Sequence, residues 1–162
     1  MNVKEYLSIF NISNLFTGKT GLFAVMGGSV GAFLSTIYGG EVRLTVIWAL
    51  ALAIALDWIG AIAAATKDKS YSSQYGIIGV LRTAVILALP VFGKLLDGAL
   101  NTQGFFFYML AVGLLYHTVV SMTANFTRAG WDKWIPLWAL NFIASELEAK
   151  VKRAQNRKGD EK

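Results

Sequence analysis

Four long apolar stretches, 21–38, 44–66, 77–100 and 104–124, fill more than half of the chain, and nothing else in it constrains the fold as much. Each holds 18 to 24 residues, and about 20 residues of helix cross a typical hydrocarbon core. A soluble helical core would show shorter amphipathic helices with polar outer faces. Here 44–56 carries no charge at all. Backbone groups in lipid must pair within their own segment, so the stretches read as helices. The expected class is therefore an all-α integral membrane protein. Its parts are an interfacial N-terminal segment over 1–20, a four-helix transmembrane domain over 21–124, and an amphipathic C-terminal helix with a basic tail over 125–162.

The first stretch reads as a retained span rather than a cleaved leader, because few basic residues precede it and no small-residue cleavage site follows. Cysteine is absent, which excludes disulfides, thiol catalysis and zinc–thiolate sites. With four crossings, twelve Lys and Arg fall on the side holding both termini and the 67–76 loop, against Arg43 and nearby Lys94 on the other. The positive-inside rule then places both termini in the cytoplasm.

The tails carry interfacial signals. Trp131, Trp134 and Trp138 stand beside Arg128 and Lys133, as in an aromatic belt. Pro136 suits the first turn of a new helix. In that helix Leu137, Leu140, Ala144, Leu147 and Val151 form one apolar stripe, able to lie on lipid or on a neighbouring chain. The last thirteen residues hold six basic side chains, Lys150, Lys152 and Arg153 among them, and two acidic ones. Such a tail beneath a membrane touches anionic head groups. Nucleic acid is not expected, since no aromatic or folded reader accompanies the charge.

The second stretch is the most informative. Ala49, Ala53, Asp57, Ala61 and Ala65 recur every four residues and predict a small-residue face for helix contact, with Asp57 at its centre. An ionised Asp deep in a bilayer costs roughly 2.5–3.5 kcal/mol on insertion scales. It should be protonated, paired or wetted. At about 1.5 Å per residue, Asp57 lies on the order of 13 Å, Arg82 roughly 8 Å and His117 roughly 10 Å from the cytoplasmic ends of their stretches. These three are the candidate layer for a pore or for assembly. Further contact signatures are Gly27, Gly28 and Gly31 in the first stretch and Gly113 in the fourth. Lys94 and Asp97, three apart, are placed to pair locally. No H-E-x-x-H, G-x-S-x-G or phosphate-binding glycine loop is present, and one histidine without cysteines is a poor metal-ligand set. The expectation is no enzyme, no cofactor and no metal site.

The chain resembles the bacteriophage holins of the toxin-secretion/phage-lysis family over about 44–140. The resemblance is carried by Leu56-Asp57-Trp58-Ile59-Gly60, by Lys67, Lys69, Ser72-Ser73, Gly76 and Gly79, and by Leu96-Asp97. It continues through Phe107-Tyr108, Ser121, Asn125, Arg128, Gly130 and Ile135-Pro136. Thr118 and Ala124 stand where relatives often carry acidic residues. The resemblance implies a homo-oligomer in the bacterial inner membrane that permeabilises it and lets endolysin reach the cell wall. The alternative from the residues alone is a small ion or proton channel, or a transporter subunit, using the Asp57/Arg82/His117 layer.

Overall fold

The structure is a computed structural model; it describes residues 19–70 and 73–159, with side chains described for 25–70 and 76–156. The expected interfacial segment 1–20 lies outside the described residues except for its last two, which open the first helix. All described regular structure is helical: α1 Lys19–Tyr38, α2 Glu41–Lys67, α3 Ser73–Leu100, α4 Phe105–Ala129, a single 3-10 turn Trp131–Lys133, and α5 Leu137–Gly159.

Among the described residues, three helices are long and apolar enough to cross a membrane: α2, α3 from Gly76 onward, and α4. The first expected span yields a shorter apolar helix, Val25–Tyr38. The helix itself runs Lys19–Tyr38, 20 residues, of which the side chains are described from Val25 onward.

The molecule is apolar on the outside. On α2, Val42, Trp48, Leu52, Ile59 and Ile62 are exposed, and on α3 so are Ile77, Leu81, Val85, Phe92 and Leu95. Water does not tolerate so continuous a surface on a monomer, whereas hydrocarbon does. The opposite face of α2 buries Ile47, Leu50, Ile54, Asp57, Gly60 and Ala64, spaced three or four apart, against α4. Leu50 and Ile54 meet Ile86 of α3, with Leu114 and Leu115 of α4 beside them.

α4 is the hub, contacting α2, α3 and α5. The expected stripe on α5 packs against the chain's own α4. Ala144 is buried with Val119, Met122, Phe126 and Ala53, and Leu137, Leu140 and Leu147 pack beside it. Tyr116 Oη and Glu148 Oε2 lie 3.5 Å apart, so α5 runs antiparallel to α4 along its flank.

Two turns close what is here called the upper end. Gly39 and Gly40, at φ 92° and 105°, link α1 to α2, while Asn101, Gln103 and Gly104, all at positive φ, link α3 to α4. The lower end holds the α2–α3 loop and the C-terminus of α4.

A polar cleft at the lower end

The cleft is built from α2, α3 and α4. α2 contributes Asp57, Trp58 and Ala61, because the helical period brings them to the edge of the face packed on α4. α4 contributes Thr118, Ser121, Asn125 and Arg128, a polar stripe at spacings of three and four. α3 contributes Gly76, Gly79, Arg82 and Thr83. Gly79 lets α3 approach: a Cβ there would sit 3.0 Å from the Trp58 ring. The cavity is about 450 Å³.

Asp57 is buried, 7 % exposed. Its Oδ1 accepts a hydrogen bond from Asn125 Nδ2 at 2.8 Å. Asn125 Oδ1 lies 3.4 Å from Arg128 Nη1, and Arg128 Nη2 pairs with Asp68 Oδ2 at 2.8 Å. Lys67 Nζ donates to the Arg128 carbonyl at 3.0 Å. A chain of polar contacts therefore leads from the buried carboxylate to the lower rim. Burying Asp57 is tolerable because the contact with Asn125 replaces part of the hydration it loses.

Of the expected layer, the structure brings Asp57 and Arg82 to one cleft and places His117 on an exposed face of α4, outside the cleft lining. α4 continues to Ala129, five residues past the expected end, so His117 stands roughly 18 Å from its lower end. Arg82 is exposed and pairs with no acid among the described residues.

The small-residue stripe of α2 is only partly used. Ala53 and Ala65 are buried, Ala61 lines the cleft, and Ala49 is exposed. A strict four-residue repeat rotates by about 40° per step on a helix of 3.6 residues per turn, so its ends drift off the shared face. Among the described residues, Gly27, Gly28, Gly31 and Gly113 have no atom of another element within 4 Å of where a Cβ would be. The close contacts fall instead at Gly60, whose Cβ would meet the Phe126 ring at 2.7 Å, and at Gly93, 2.8 Å from the Phe106 carbonyl oxygen.

The interfacial tryptophans divide. Trp134 and Trp138 are exposed, while Trp131 stacks between Phe126 and Trp134, with centroids 5.2 and 5.4 Å away. On α5, Lys152 pairs with Glu148, Arg153 lies 4.0 Å from Glu146, and Lys150 is exposed.

Lys94 and Asp97 do not pair with each other. Lys94 Nζ donates to the carbonyls of Thr36 and Ile37, the unsatisfied C-terminus of α1. Asp97 caps α4, accepting from the backbone N–H of Phe106 and Phe107, both at 2.9 Å, and from Thr102 Oγ1 at 2.6 Å. Two residues thus escaped the sequence reading in their true roles: Asn125, partner of Asp57, and Asp97, the helix cap. For Asn125 the signal was the 118–121–125–128 polar stripe in an otherwise apolar helix.

A family model described as the bacteriophage holin family matches residues 32–145, from within α1 to the middle of α5. No curated protein and no solved structure matches the chain.

Proposed function

The chain belongs to the bacteriophage holin family, and on that premise we propose that it accumulates in the inner membrane of a bacterial host, oligomerises there, and opens a lesion that times lysis by releasing endolysin to the cell wall. The family match carries this reading. In it, α1 joins α2, α3 and α4 as a fourth crossing, and the lower end, where α1 begins and α4 ends, faces the cytoplasm, while α5 runs back up the flank of α4 and carries its C-terminus away from that end. Around the ends of α1 to α4, Lys19, Lys67, Lys69, Arg128 and Lys133 at the lower end outnumber Arg43 and Lys94 at the upper, which supports that orientation.

Two features support assembly. Among the described residues, Gly27, Gly28, Gly31 and Gly113 meet no other element, leaving room for backbones of neighbouring copies to approach. The cleft offers a line of polar groups across the lower half of the bundle, of the sort that stays solvated once a lesion fills with water. An ion or proton channel would need the Asp57/Arg82/His117 layer closed into one path, and His117 lies outside the cleft.

The decisive experiment expresses the protein in bacteria together with a cytoplasmic endolysin, following membrane potential and turbidity. The expected result is a quiet interval, then abrupt collapse of the potential and lysis. Depolarisation without lysis would transfer the case to the channel. No leakage at all would leave only a membrane scaffold. Crosslinking before lysis should show large detergent-stable oligomers, and a strictly monomeric protein at high membrane density would refute assembly.

A further inference from the structure

We propose that the lower cleft is a slot for one anionic phospholipid, its phosphate held by Arg82 and Arg128 and an acyl chain laid on the apolar wall above them. The slot has both halves such a ligand requires. Arg82 and Arg128 lie on opposite walls, α3 and α4, while Ile54, Trp58 and Ile86 line the apolar part. A volume of about 450 Å³ accommodates a phosphate and the upper part of a chain, leaving the rest of the lipid in the surrounding bilayer. α2 and α3 each pack on α4 far more than on each other, so the slot opens sideways between them toward lipid.

Charge decides which lipid. Two guanidinium groups and one carboxylate line the cleft. The carboxylate, Asp57, is already engaged by Asn125 at 2.8 Å, and Arg128 is shared with Asp68. Arg82 has no described acidic partner and is exposed to the opening. The cation left without a described acidic partner at the opening is therefore Arg82. A planar guanidinium fork matches the oxygens of a phosphate, and a zwitterionic head group would bring a cation of its own against the second arginine. Arg82 stands nine residues into α3, roughly 13 Å along it, where an arginine without an acidic partner needs either water or an anion drawn in from the head-group layer.

Trp58, which lines the slot, is the reporter. The full-length protein and its Trp58→Phe variant are reconstituted in phosphatidylcholine vesicles carrying a minor fraction of either acyl-brominated phosphatidylglycerol or acyl-brominated phosphatidylcholine. The difference between the two proteins isolates the Trp58 emission from that of the other tryptophans. The expected result is several-fold stronger quenching of this component by the brominated phosphatidylglycerol, a preference abolished by Arg82→Gln and largely kept by Arg82→Lys. Equal quenching by the two lipids overturns the proposal, as does a preference that survives Arg82→Gln. The readout involves no lysis and no endolysin, so it stands or falls separately from the proposed function.

Discussion

The upper and lower ends of this bundle use their charged groups in opposite ways. At the upper end three charges are turned into fasteners. Lys94 closes the C-terminus of α1, Asp97 closes the N-terminus of α4, and Arg43 lies 5.2 Å above the Phe107 ring. Gly93 brings α3 against the α4 backbone. At the lower end the same residue types stand around a cleft. Asp57 reaches the rim only through Asn125 and Arg128, and Arg82 is uncommitted. Charge in a membrane bundle is therefore not by itself a sign of function. Charge that saturates helix termini is scaffolding, and charge lining open space is what can respond to lipid, water or a neighbouring copy.

One substitution at both ends tests this directly. Gly93→Ala places a Cβ 2.8 Å from the Phe106 carbonyl oxygen, an obstacle made of backbone, so the α3–α4 crossing must open. We expect a loss of about 3 kcal/mol, the upper part of the overpacking range. Asp97→Ala comes next, at about 2–3 kcal/mol, because the Phe107 N–H loses its acceptor in a buried place. Gly60→Ala meets the Phe126 ring at 2.7 Å, but a ring can turn where a backbone cannot, and about 1 kcal/mol is expected. Thermal unfolding in detergent, followed by circular dichroism, ranks the three. If Gly60→Ala proves the most damaging, the rigid end has been misidentified.

Asp57→Leu should invert that order. Removing a buried carboxylate from an apolar bundle leaves Asn125 without its acceptor but also removes the desolvation cost, so the fold should change by no more than about 1 kcal/mol. Insertion should be unaffected, whereas the onset of permeabilisation should shift. Unchanged lysis timing beside unchanged stability would mean that the polar cleft is idle.

How much of this was legible beforehand follows from what each signal measures. Span existence was readable in α2, α3 and α4, because hydropathy over twenty residues is a local property. The length of α4 was not, since Asn125 and Arg128 look like an ending until the partners that satisfy them, Asp57 and Asp68, are known. Asp57 was recognisable as buried from its apolar neighbours alone. Its partner was not, because depth counted along each helix ignores which way a residue faces: Thr118 and Asn125 turn into the cleft, while His117, one residue before Thr118, is exposed outside it. The glycine stripes were visible as patterns, but the glycines that bring helices together, Gly60 and Gly93, stand alone and repeat nothing.

α5 extends the comparison to a third place, where charge is neither fastened into the scaffold nor open to a cavity. It lies antiparallel on α4 through Leu140, Ala144 and Leu147, and Glu148, whose carboxylate also reaches Tyr116 of α4, pairs with Lys152 one turn away. At that height it flanks a helix long enough to cross a membrane, so the pair matters chiefly because it cancels. Glu148→Gln leaves Lys152 uncompensated there, and the helix should lift toward the head groups, whereas the double change Glu148→Gln/Lys152→Gln should leave it docked. The chain has no cysteine, so a single Ala144→Cys serves as an unambiguous probe of docking in reconstituted vesicles. Its reactivity toward a water-soluble thiol reagent should rise modestly with the single substitution and return to the parental level with the double one. This is the smallest effect expected, since the pair is exposed and solvent weakens it. Equal reactivity in all three backgrounds would show that the apolar stripe alone holds α5 in place.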